Sequence, residues 1–158
     1  MDIWFFEKEA TRKGFRDIAG IDEAGRGPLA GPVVSAAVIL PGDFPITGIA
    51  DSKKLTPVKR NRLYEQIYTY AVSIGIGIVD AIEIDRINIL QASLLSMAIA
   101  AENLSPRPDC LLIDGTFSIP TKLPQKPIAK GDKLSISIAA ASIIAKVTRD
   151  RLMESYHF

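Results

Sequence analysis

The run Pro32–Leu40, PVVSAAVIL, constrains the fold more than any other stretch of this chain. It carries no charge and is nearly continuously apolar, whereas a strand with one solvated face alternates apolar and polar side chains. It therefore predicts a strand covered on both faces, and the rest of the chain must supply the covering layers. A strand is expected from about Phe15 to Asp22, followed by the glycine-rich Gly25–Gly31. Thr56 and Pro57 read as an N-cap with proline at the first helical position, opening a helix to about Tyr70. Val72–Val79 alternates Ile74, Ile76 and Ile78 with Gly75 and Gly77, which predicts a strand whose glycine face another element approaches closely. Asp80 and Glu83 resemble a capping box at the start of one long helix reaching about Leu104. Cys110–Ile113 and Lys126–Lys130 are further strands, and Leu134–Tyr156 is a helix rich in small residues. Five strands and three helices in this order predict an α/β fold, with a mixed central sheet of about five strands flanked by helices. The length, 158 residues, suits one domain, residues 1–15 forming an N-terminal extension.

Composition narrows the function classes. Hydrophobic residues make up 47% and charged residues 23%, enough to bury a core and too apolar for a disordered chain. The 19 basic and 18 acidic residues nearly cancel to +1, so bulk charge cannot hold nucleic acid or membrane, and any polyanion site must be local. A single cysteine, Cys110, excludes an intramolecular disulfide framework and a cysteine-built zinc site, and fits a reducing compartment. The only histidine, His157, stands next to the chain end, which argues against a catalytic triad or a histidine zinc site. Every apolar run is soon interrupted by charge, Pro or Gly, and the first residues lack the basic-then-apolar order of a secretory signal. A cytoplasmic protein without a membrane partner is expected.

Acids stand at the ends of buried apolar strands at Asp22-Glu23 and Asp114, and less clearly at Asp132. Strand ends are where α/β sheets hold ligands. Converging carboxylates without partner His or Cys suit a hard cation with oxygen ligands, Mg²⁺ or Mn²⁺, which favours chemistry on phosphate esters. Each acid also has an ordinary reading: an exposed strand end for Asp22-Glu23, a turn for Asp114-Gly115, a helix cap for Asp132. Neighbours on a regular strand point to opposite faces, so Asp22 and Glu23 can share one metal only if the strand bends or bulges, for which Ala24-Gly25 is the expected place.

Gly25–Gly31 has neither the glycine spacing of a dinucleotide fingerprint nor that of a P-loop. It reads either as a plain turn or as a segment whose backbone N–H groups approach a ligand closely. Basic residues cluster at Lys53, Lys54, Lys59, Arg60 and Arg62, at Lys122, Lys126, Lys130 and Lys133, and at Lys146, Arg149 and Arg151. Singly, such clusters are solvated faces; beside an acid-lined site, three of them suit a phosphate-backbone track.

The block Ile18–Val33 (IAGIDEAGRGPLAGPV) resembles the opening signature of ribonuclease HII. The resemblance continues in order through Asp51–Leu55, Ile84–Leu90, Leu111–Gly115, Lys130–Asp132 and Ile138–Asp150, from about residue 16 to the C-terminus. It implies the ribonuclease H-like fold and hydrolysis of the RNA strand of RNA–DNA hybrids. It also implies nicking of DNA duplexes 5′ of an embedded ribonucleotide, with 3′-hydroxyl and 5′-phosphate products. A monomer is expected. Asp22, Glu23, Asp114 and Asp132 match the family's four catalytic acids, which hold Mg²⁺ or Mn²⁺. Gly25, Arg26 and Gly27 match the segment that reads the ribose 2′-hydroxyl, the group that distinguishes RNA from DNA. Ser52, Lys53, Lys54 and Lys146 match phosphate contacts. Family members continue past this point with a helical segment whose tyrosine partners the glycine–arginine–glycine segment; Tyr156 does not occupy that position. Three alternatives stand beside this reading. Ribonuclease HIII usually has a lysine where Arg26 stands and a large N-terminal domain, but only about fifteen residues precede the first strand here. A receiver domain also has an acidic pair after its first strand, but Asp114 lies too far along for it. An inactive hybrid-binding module is the third.

Overall fold

The apolar run folds as the second strand of a five-stranded mixed sheet, in a computed structural model that describes residues 2–25, 31–50 and 54–155. The strands are β1 (Ile18–Ala24), β2 (Val33–Ile39), β3 (Ser73–Val79), β4 (Cys110–Asp114) and β5 (Gln125–Ile128). They lie in the order β3-β2-β1-β4-β5, with β1, β2 and β3 antiparallel, and β4 and β5 added in parallel on the other side of β1. Every residue of β2 is buried, as a strand covered on both faces requires. The helices are α1 (Phe5–Arg12), α2 (Pro57–Tyr70), α3 (Ala81–Ile87), α4 (Ile89–Glu102), α5 (Gly131–Leu134) and α6 (Ile136–Glu154).

Alternation along the strands sorts the core into two layers. Ala36 and Val38 of β2 pack with Ala140, Ile143 and Ile144 of α6 and with Leu63 and Ile67 of α2. Ala37 and Ile39 face the other way and pack with Ala19 and Ile21 of β1 and with Met97, Ala100 and Ala101 of α4. The small residues of α6 allow it to lie directly on β1: a Cβ on Gly20 would collide with the backbone of Ser137 and Ile138. On the opposite face the glycines of β3 meet α4, where a Cβ on Gly75 or Gly77 would strike the carbonyls of Ala100 or Ser96. That is the close approach the alternating glycines predict.

Three helix expectations change. The segment 80–104 is two helices, because Asn88 takes a positive φ of 72° and its side chain caps α4 by accepting from the Gln91 N–H at 3.0 Å. With ψ at 165° this is backbone that residues other than glycine rarely adopt and no helix can run through, and apolar periodicity continuing across the break hides it. Residues 5–12 form α1, whose Phe6 and Ala10 pack against Cys110, Leu112 and Ile128. Asp132 does not cap the final helix: Ser135 does, its Oγ accepting from the Ile138 N–H at 3.2 Å, and Asp132 lies in the preceding turn α5. Thr56 caps α2 as expected, accepting from the Lys59 N–H at 3.2 Å. Among the described residues no helix is long and apolar enough to cross a membrane.

Candidate metal centre and nucleic-acid groove

The centre lies where β1 outruns β4. Their parallel pairing stops at Ile21–Ile113, while β1 continues on its other side through Asp22–Ala36, Glu23–Ser35 and Ala24–Val34 of β2. The antiparallel register is therefore regular through both acids, and the bend or bulge expected at Ala24 does not occur within this pairing. Asp22 follows Gly20 toward α6 and Glu23 follows Ile21 toward α4, yet one carboxylate oxygen from each of Asp22, Glu23 and Asp114 lies within 4.8 Å of the others. The convergence lies at the C-terminal ends of these interior strands. With no β4 residue paired to β1 beyond Ile21, side chains from opposite faces can meet past the end of the neighbouring strand. Glu23 consequently lines a depression on each side of the sheet.

Asp22 is buried, at 5% exposure, and its Oδ1 accepts the Glu23 N–H at 2.8 Å. Burial, followed by the charges of Asp114 and Glu23, pushes its carboxyl well above the usual carboxylate range. Asp114 is half-buried, and its carboxyl is raised chiefly by desolvation; the Asp132 N–H, donating to Asp114 Oδ1 at 3.1 Å, works against that rise. Asp132 thus enters the site through its backbone and its charge, and its carboxylate stands outside the close cluster of three. Three carboxylates this near one another, one almost fully desolvated, repel unless protonated or shared by a cation. Their all-oxygen donor set suits a hard divalent ion.

Toward α6 the centre opens into a groove lined by Glu23, Ala24, Gly25, Arg60, Ser142, Ile143, Lys146 and Arg149. Ser142, Lys146 and Arg149 recur at helical spacing and so share one face of α6. That spacing is visible in the sequence, although Ser142 carries no charge to attract notice. Lys146 is half-exposed and pairs with Asp150 at 3.1 Å. Toward α4, Glu23 and Asp114 share a second depression with Ser93, Phe117 and Lys130.

The basic clusters do not arrive whole. Arg60 reaches the groove from the first, Lys130 the second depression, and Lys146 and Arg149 the groove from the third. Lys126 instead lies over the Phe6 ring, 5.3 Å from its centroid, and Arg151 over the Tyr64 ring at 4.3 Å. Lys54 is exposed just before α2. Gly25 lines the groove, while Arg26, Gly27, Ser52 and Lys53 lie outside the described residues.

The mixed sheet ordered β3-β2-β1-β4-β5 with helices on its faces is a ribonuclease H-like fold, shared with solved ribonuclease H2. The family model for ribonuclease HII matches residues 19–157. A ribonuclease HII of Geobacter sulfurreducens is 60% identical over 154 residues, 98% of this chain and 71% of its own length. One from Syntrophus aciditrophicus is 59% identical over 152 residues, 96% of this chain and 72% of its own. The crystal structure of ribonuclease H2 from Pyrococcus horikoshii superimposes with a TM-score of 0.79 at 28% identity, covering 89% of this chain and 75% of that one. The chain belongs to the ribonuclease HII family of endoribonucleases.

Proposed function

We propose that this chain hydrolyses the RNA strand of RNA–DNA hybrids and nicks duplex DNA on the 5′ side of an embedded ribonucleotide, leaving 3′-hydroxyl and 5′-phosphate ends. The observation that carries the reading is the meeting of Asp22, Glu23 and Asp114 at the C-terminal ends of the adjacent strands β1 and β4, beside a groove lined with basic side chains. The donor set fits Mg²⁺ or Mn²⁺, with these three carboxylates as ligands. A divalent ion bound there would supply Lewis-acid activation of water and neutralise the leaving oxygen. Asp132 positions Asp114 through its N–H and adds negative charge to the centre. Arg60 and Lys146 line the groove for the phosphate backbone, with Ser142 as a neutral donor, and Lys54, Ser52 and Lys53 extend that track by family resemblance. Gly25, with Arg26 and Gly27, presents backbone to the ribose 2′-hydroxyl, the contact that separates ribonucleotide from deoxyribonucleotide.

The test is a DNA duplex holding one ribonucleotide, incubated with Mg²⁺ or Mn²⁺, with both product ends mapped. A single cut 5′ of the ribonucleotide, absent in Asp22→Asn, is expected. Binding without cleavage under every metal condition would favour the inactive hybrid-binding module. Substantial cleavage by Asp22→Asn would remove the assigned role of that carboxylate.

A further inference from the structure

Arg149 is an unusual residue for its position. It is 6% exposed, makes no ion pair among the described residues, and its Nη2 is buried without a hydrogen-bond partner there. Burying a guanidinium without a carboxylate is unfavourable, so its placement calls for a compensating role. Its Nε donates to the Pro32 carbonyl at 2.9 Å. Pro32 closes the β1–β2 connection, and Gly25 opens it.

Both ends of that connection are shaped around the same guanidinium. Gly25 has φ +103°, and a Cβ there would collide with Arg149 Nε and stand 3.0 Å from its Cδ and 2.6 Å from the Pro32 carbonyl oxygen. Gly31 has φ +129°, and a Cβ there would lie 3.2 Å from Arg149 Nη2 and 2.6 Å from Met153 Sδ. Both glycines hold a left-handed backbone that other residues rarely adopt, and both leave room for one arginine. A planar, permanently charged fork on a rigid helix fills that space in one orientation, which a lysine cannot reproduce.

We infer that Arg149 is a positioning residue: it clamps the two ends of the β1–β2 connection and so sets the backbone at Gly25 relative to Glu23 two residues upstream. Its effect on cleavage runs through ribose recognition, which rests on the reading of the glycine segment proposed above. Fixing the connection before substrate arrives lowers the ordering cost of binding at the 2′-hydroxyl. A simple phosphate contact, by contrast, strengthens all duplexes alike.

Two affinities separate these roles. Fluorescence anisotropy in EDTA, where nothing is cleaved, gives the Kd for a duplex with one ribonucleotide and for the same all-DNA duplex. The wild type prefers the first. In Arg149→Met, which keeps the apolar stem, the preference ratio is expected to fall about fivefold or more while all-DNA affinity changes less than about threefold. Arg149→Lys, with charge and one donor, is expected to retain an intermediate ratio. A parallel loss of both affinities, or a wild-type ratio in Arg149→Met, overturns the clamp. If Arg149→Met does not fold, a wild-type ratio in Arg149→Lys overturns it equally. A wild type with no preference for the ribonucleotide sinks the reading of the glycine segment itself, a result distinct from failure of the clamp.

Discussion

Glu7 and Asp22 are two equally buried acids, at 6% and 5% exposure, in opposite surroundings. Glu7, on α1, meets the start of α6: its Oε2 accepts the Ser135 hydroxyl at 2.6 Å and the Ser137 N–H at 3.0 Å. The Ile3 carbonyl takes the Ile136 N–H nearby at 3.0 Å. Here the fold supplies two donors to Oε2 at a helix N-terminus, while Oε1 is buried without a hydrogen-bond partner among the described residues. Asp22 receives its neighbour's N–H and otherwise faces two more carboxylates. Burial therefore does not mark a functional acid. What sets Asp22 apart is burial among like charges, which raises its carboxyl.

The sharpest way to break this contrast is to neutralise each acid. Asp22→Asn is expected to lower the rate of cleavage of a single-ribonucleotide duplex by about 10³-fold or more, while Glu7→Gln leaves it within a few-fold. Next comes the response to metal. Saturating Mn²⁺, at about 100 times its Kd, is expected to stabilise wild type and Glu7→Gln by about 2.7 kcal/mol in urea melts, with a clearly smaller gain in Asp22→Asn. A full gain in Asp22→Asn would dissociate this acid from the ion. Glu7→Ala should cost about 2 kcal/mol by stripping partners from buried donors. Asp22→Asn in EDTA should move the other way, gaining about 1–2 kcal/mol by removing a buried charge among like charges.

The smallest effect is in pH. A carboxyl raised in the folded state holds its proton to higher pH than in the unfolded chain. Folding is therefore favoured at acid pH, and stability is lost as pH rises from the ordinary carboxylate range through the raised folded value. In EDTA this loss should be visible in the wild type and flatter in Asp22→Asn. Equal slopes would show that Asp22 is not the group responsible.

Glu7 and Asp22 also show what a sequence reveals. Asp22 ends a run of apolar residues, so local pattern singles it out, and β1, β2 and α2 are legible for the same reason: their signals are periodicity and caps. Glu7 is one of several charges in a short amphipathic segment, and its partners lie at residues 135 and 137, beyond any local window. The acid constellation is legible as residue types at strand ends. Its geometry is not, because Asp22 and Glu23 meet past the end of β4, and where one strand stops beside another is a property of pairing. Likewise the basic clusters are visible as charge, but packing sends Lys126 and Arg151 onto aromatic rings away from the acids.

The contact between Gly20 and the backbone of Ser137 has a mechanical consequence. From that pivot α6 runs on to Glu154, a helix of 19 residues and about 28 Å, and carries Ser142, Lys146 and Arg149 along the way. A small tilt at the pivot is magnified with distance along such a lever. A methyl group wedged in by Gly20→Ala would displace Arg149 more than Ser142, widening the far end of the groove while the strand pairing that gathers the acids stays in register. The spacing between the acid cluster and the basic face of α6 is thus set by the absence of a single carbon atom.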